Sequence, residues 1–129
     1  MKKGHNINVS YPVTVQFEDV DSYKIAHHTK LIAYLERARV ALFQDLGHDL
    51  SDTSREMVLY NLNITFKKTA RFLDHLTVSA HITSTESFRF TVSYKIKRTN
   101  ELIAKASTDI AFVDAKTKEI IPVPHEFTV

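Results

Sequence analysis

A chain of 129 residues fits one domain, 1–129, and leaves little room for a second. Hydrophobic residues make up 43% and charged residues 25%, ordinary for a soluble globular chain, and a formal charge of +2 is too small to argue for nucleic acid. The absence of cysteine removes disulfides, thiolate metal sites and cysteine nucleophiles together, and it suits a reducing compartment.

In chain order, the start Met1, Lys2, Lys3, Gly4, His5 is basic but lacks the apolar run of a signal peptide. No segment approaches the roughly 20 apolar residues of a membrane-spanning helix. A cytoplasmic location without a membrane span is therefore the expectation. Alternation predicts a strand over 11–17, with Val13, Val15 and Phe17 on one face. Residues 18–27 are polar and irregular. Over 29–46 the pattern turns helical, with Leu31, Leu35, Ala38, Leu42 and Leu46 at three- and four-residue steps. Gly47 follows as a residue that takes positive φ at a helix end without a Cβ clash.

Everything after the helix reads as strand. Leu62, Ile64 and Phe66 alternate, as do Leu76, Val78, Ala80 and Ile82, and then Phe88, Phe90, Val92, Tyr94 and Ile96. Thr99, Asn100 and Glu101 form a hairpin connection into a last long strand over 102–113, with a polar turn at 114–118. This order predicts an α+β protein with an antiparallel sheet, the helix burying its leucine stripe against one face. Aromatics are expected on the opposite face too, and edge strands invite pairing with another chain. A homodimer follows from that, or a homotetramer by pairing of dimers.

Several groups are able to carry chemistry. Asp19 and Asp21 fall between a strand and a helix, where paired carboxylates serve either as catalysts or as turn residues bonding nearby N–H groups. Spacing alone does not choose. Histidine is a common acid–base residue, so His28 at the helix start is a candidate, or it belongs with His27 to a polar loop. Lys67, Lys68 and Arg71 cluster between two strands, suited to phosphates or to a solvated turn. His75 and His81 lack partners at metal-site spacing, so neither metal nor other cofactor is expected.

Phe17, Glu18, Asp19, Val20 and Asp21, followed by Ile25, His28 and the run Tyr34, Leu35, Glu36, Arg37, Ala38, Arg39, resemble the signature of the 4-hydroxybenzoyl-CoA thioesterase family with its YbgC-like acyl-CoA thioesterases. The similarity continues through 66–78, through 103–108 and into Ile121, Pro122, Val123 and Pro124, so it spans nearly the whole chain. The block 17–39 is its specific part. The resemblance implies the hotdog fold, a five- or six-stranded antiparallel sheet wrapped around one long central helix. It implies hydrolysis of an acyl-CoA to free acid and coenzyme A, with Asp21 as nucleophile or general base and Asp19 holding the loop.

By the same resemblance, a backbone N–H near His28 stabilises the oxyanion and the His28 ring orients water or the thioester. Tyr23, Ile25, Lys67, Lys68, Arg71 and Ser87 become substrate-binding candidates. A second clade of such enzymes takes its carboxylate from the helix, which would single out Glu36, but an ion pair with Arg39 accounts for that residue. Two further functions stay open: an acyl carrier protein in place of coenzyme A, and an acyl-binding domain without catalysis. The sequence departs from the family in two places. Ser22, Tyr23 and Lys24 stand where glycines are usual, and Leu73 replaces the glycine of a Gly-Asp pair.

Overall fold

The computed structural model describes residues 7–128; the basic start at 1–6 lies outside them. Six strands and one long helix follow in the order β1 (Asn8–Thr14), α1 (His28–Asp45), β2 (Arg55–Phe66), β3 (His75–Thr85), β4 (Phe90–Arg98), β5 (Glu101–Asp114) and β6 (Ile120–Ile121). The strands form one antiparallel sheet in the order β1-β3-β4-β5-β2, and the short β6 pairs with β5. No helix among the described residues is long and apolar enough to cross a membrane.

The helix is set by its apolar stripe. Leu31, Leu35, Ala38 and Leu42 are buried as their spacing predicts, joined by Tyr34 and Phe43. Gly47 takes φ 79° just beyond the last turn, the left-handed position that glycine occupies without steric cost. Facing the helix, Leu76, Val78, Ala80 and Ile82 of β3 alternate with Phe90, Val92, Tyr94 and Ile96 of β4, all buried. Thr99 and Asn100 make the tight turn into β5, Thr99 at φ 56°. The C-terminal segment adds elements that the periodicity did not announce. It supplies β6 and a 3-10 turn at His125–Phe127 that drives Phe127 into a cluster with Phe43, Phe90 and Phe112.

Three expectations need correction. The first strand ends at Thr14; Val13 and Val15 are buried, but Phe17 opens a 3-10 turn (Phe17–Asp19) and is 72% exposed. Phe88 precedes β4 and is exposed as well. The outer sheet face is not generally aromatic. Along β3, β4 and β5 it carries Ser79, Ser93, Lys95, Lys105 and Ser107. Apolar exposure concentrates on β2, where Val58, Leu59, Tyr60 and Leu62 are all exposed on an edge strand.

Candidate active site

The loop between β1 and α1 is closed by hydrogen bonds to its neighbours. Val15 N–H donates to Asp74 O at 3.0 Å and Leu73 N–H to Val15 O at 3.0 Å, fixing the exit from β1. Asp19 then locks the 3-10 turn. Its Oδ2 accepts the Gln16 N–H at 3.0 Å and the Tyr34 hydroxyl at 2.6 Å, while Lys30 Nζ stands 3.7 Å from Oδ1. The Asp19 carbonyl accepts the His27 N–H at 2.9 Å. One buried residue thereby joins the strand exit, the helix entry and the second turn of α1. Burial works against ionising Asp19, but the Tyr34 and Gln16 bonds and the charges of Lys30 and Arg37 outweigh it and hold the carboxyl below its ordinary value. Burial, then the same Asp19 carboxylate, pushes the Tyr34 phenol far above its ordinary value.

Asp21 sits two residues on, in a tight turn bounded by a bridge between Val20 and Ala26. Its Oδ1 accepts the N–H groups of Tyr23 at 2.8 Å and Ile25 at 3.2 Å. Its Oδ2 has no hydrogen-bond partner among the described residues, and the residue is half-buried. This orientation fixes the carboxylate from one side and leaves the other oxygen open. The turn is completed by Lys24 at φ 63°, and its wall by Leu73 at φ 70°. Lys24 belongs to the segment Ser22, Tyr23 and Lys24, and Leu73 to the pair with Asp74, where glycines were expected. Both residues hold left-handed backbone, a conformation that costs a residue with a Cβ more than it costs glycine. The two loops are stitched by Phe72 N–H to Lys24 O at 3.0 Å, Ala26 N–H to Ala70 O at 2.8 Å, and a bridge between Ile25 and Arg71.

Helix α1 begins immediately after this turn. No side chain caps it and no acidic residue lies in its first turn. The N–H groups of His28 and Thr29 are without acceptors among the described residues, so they remain donors with the positive end of the helix dipole behind them. The His28 ring stacks on Phe66, with centroids 4.2 Å apart and planes at 15°. His28, Phe66, Ile25, Leu31 and the backbone-anchored Lys67 and Lys68 line a cavity of about 190 Å³.

The substrate-binding candidates divide accordingly. Ile25, Lys67 and Lys68 meet at this cavity, and Arg71 adjoins it through Ile25. Lys68 is already engaged, 2.6 Å from Glu101, which also binds Arg98. Tyr23 stands 78% exposed at the tip of the Asp21 turn. Ser87 is not brought together with them. It lies at the opposite end of the strands, beside an open groove of about 650 Å³ lined by Val58, Tyr60, Phe88, Arg89 and Ile120. Glu36 is 72% exposed and pairs with Arg39 at 3.8 Å, an ordinary helix-surface pair. Sequence reasoning missed Tyr34 and Phe66 as parts of the site. A tyrosine three residues after Leu31, inside the leucine stripe, was the available signal for a buried hydroxyl in search of an acceptor.

This arrangement has counterparts. Residues 15–129 match the model of the Thioesterase-like superfamily. The chain belongs to that superfamily. A protein of Aquifex aeolicus is 31% identical over 119 residues, with 90% of this chain and 91% of the relative covered. A Haemophilus influenzae relative named acyl-CoA thioesterase YbgC is 24% identical over 121 residues, covering 91% of this chain and 89% of its own length. The solved structure of a 1,4-dihydroxy-2-naphthoyl-CoA thioesterase from Synechocystis superposes with a TM-score of 0.85 at 21% identity, covering 93% and 92% of the two chains. At that identity the superposition speaks for the fold, a hotdog with one helix against a six-stranded antiparallel sheet. The superfamily match carries the reaction class: the enzyme is a thioesterase by family.

Proposed function

We propose that the protein hydrolyses an acyl-CoA thioester to the carboxylic acid and free coenzyme A, with Asp21 as the reacting carboxylate. The observation that carries this reading is a half-tethered Asp21 whose Oδ2 is open, on the turn that leads directly into the unbonded N–H groups at the start of α1. Donors of that kind suit the oxygen on which negative charge develops as the thioester carbonyl is attacked. Either Asp21 takes a proton from water as the water adds to the carbonyl carbon, or Asp21 adds directly and water then cleaves the anhydride. In both routes the carbon–sulfur bond breaks and the thiolate leaves to be protonated. His28, held over Phe66, orients the water or the thioester. Relatives named for acyl-CoA substrates support coenzyme A as the carrier. The cysteine-free composition suits the cytoplasm.

The working unit in this reading is a homodimer. Strand β2 is an edge with exposed Val58, Leu59, Tyr60 and Leu62, the kind of edge that pairs with another chain. Antiparallel pairing of two β2 strands about their middle brings the Ser87 end of one copy toward the His28–Phe66 end of the other. That would reunite Ser87 and Arg89 with the remaining substrate-binding candidates. The test is the Asp21→Asn protein assayed on short, long and aromatic acyl-CoAs. Turnover should fall by about 10³-fold or more, as expected when the reacting group itself is lost, with the circular dichroism spectrum unchanged. Wild-type rates in that variant would overturn the assignment.

A further inference from the structure

Tyr34 is fully buried in the second turn of α1, and it is not among the side chains lining the His28 cavity. A buried hydroxyl needs a partner, and this one donates to Asp19 Oδ2 at 2.6 Å. Lys30 faces the other carboxylate oxygen at 3.7 Å, and Arg37 stands over the Tyr34 ring, 5.6 Å from its centre. Lys30, Tyr34 and Arg37 of one helix thus all act on a single residue of the preceding loop.

Asp19 governs both groups that the proposed reaction needs. Its carbonyl accepts the N–H of His27 at 2.9 Å. His27 is the extended residue just before α1, so this bond sets where the free N–H groups of His28 and Thr29 begin. On the other side, Asp19 ends the 3-10 turn that its own carboxylate closes on the Gln16 N–H at 3.0 Å. Asp21 follows two residues later, in the turn closed by the bridge between Val20 and Ala26. The loop from 19 to 27 is therefore closed on one residue, and the Tyr34 bond ties that residue to the body of the helix. Without that bond the turn keeps its Gln16 contact but loses its shortest side-chain link to α1. The carboxylate and the helix donors are then free to drift relative to each other, and a misplacement of about 1 Å suffices to cost roughly 10²-fold in rate.

We propose that Tyr34 is a positioning residue for thioester hydrolysis: through Asp19 it holds the Asp21 turn in register with the start of α1. This role rests on the reading of Asp21 as the reacting carboxylate. The test is steady-state kinetics on one acyl-CoA with Tyr34→Phe, Asp19→Ala, Asp19→Asn and Leu42→Ala. Tyr34→Phe and Asp19→Ala should each lower kcat by roughly 10- to 100-fold with KM within about threefold, because neither side chain lines the cavity. Combining them should lower kcat no further than Asp19→Ala alone, as for two groups acting as one unit. Asp19→Asn keeps an oxygen able to accept both the Gln16 N–H and the Tyr34 hydroxyl, so its kcat should stay within about fivefold of wild type. Leu42→Ala opens a cavity at another fully buried position of α1. Assayed well below its unfolding midpoint, it should keep kcat within about twofold, which separates positioning from mere loss of stability. Wild-type kcat in Tyr34→Phe, a loss carried by KM, an equal loss in Leu42→Ala, or an Asp19→Asn as impaired as Asp19→Ala would each overturn the assignment. If Tyr34→Phe does not fold, the comparison of Asp19→Asn with Asp19→Ala decides. Full turnover in Asp21→Asn sinks the parent reading, whereas wild-type kcat in Tyr34→Phe beside an inactive Asp21→Asn sinks only the role of Tyr34.

Discussion

Lys24 and Leu73 offer a direct measurement of what the missing glycines cost. Both residues hold left-handed backbone, φ 63° and 70°, where a Cβ costs roughly 1–2 kcal/mol relative to glycine. Leu73 is 58% exposed and Lys24 is exposed too, so truncation forfeits little packing. Against the relief stands the greater freedom of glycine in the unfolded chain, about 0.4–1 kcal/mol. Lys24→Gly and Leu73→Gly should therefore each stabilise the fold by about 0.5–1 kcal/mol. For a domain of this size that corresponds to a rise in Tm of roughly 2–5 °C. Paired urea titrations and calorimetry would read it, and the double variant tests coupling through the Phe72–Lys24 hydrogen bond. Unchanged or lowered stability in both single variants would refute the strain argument. It would mean that the Lys24 and Leu73 side chains make contributions in the folded chain that exceed their backbone cost.

The remaining predictions concern the anchor, the edge and the core. Tyr34→Phe removes a 2.6 Å bond to the buried Asp19 carboxylate and should destabilise by about 1.5–3 kcal/mol, the range for bonds to charged groups; chemical denaturation would show it. The pH dependence has a definite sign. Asp19 is depressed in the fold, so its contribution is present above the ordinary carboxylate value of 3.8 and is lost as pH falls below it. Tyr34 is raised, so its contribution is full below the ordinary 10.0 and is lost as pH climbs beyond it. Denaturation of wild type against Tyr34→Phe should accordingly differ most between those limits, and a difference that grows in strong acid would contradict the linkage. Leu62→Lys on β2 should shift the mass in analytical ultracentrifugation from dimer toward monomer; an unchanged mass would place the interface elsewhere. Phe127→Ala empties a fully buried position packed on three other phenylalanines and should cost about 3–5 kcal/mol, visible as a large drop in Tm.

Periodicity sufficed wherever one face of an element is buried. The leucine stripe located α1 to within a residue at each end, and the alternation in β3 and β4 named their inward side chains correctly except for Phe88, which precedes β4 and is exposed. Residue 17 shows where that logic stops: its alternation with Val13 and Val15 is real, but the Asp19 carboxylate captures the Gln16 N–H and turns the chain before Phe17 can join the strand. Likewise β2 reads as an ordinary strand, and only its place at the sheet edge exposes residues that its composition would bury.

For the candidate site, the sequence by itself determined the actors: Asp19 and Asp21 between strand and helix, His28 at the helix start, Lys67 and Lys68 one strand away. Chain order and residue chemistry are local properties, and they are legible without coordinates. The tertiary structure alone decided how those actors stand. It assigned Asp19 to Tyr34 and left one Asp21 oxygen open, brought Phe66 beneath His28, carried Ser87 to the far end, and bent Lys24 and Leu73 into glycine-like turns. Each of these depends on hydrogen bonds and contacts between segments distant along the chain, which no local pattern encodes.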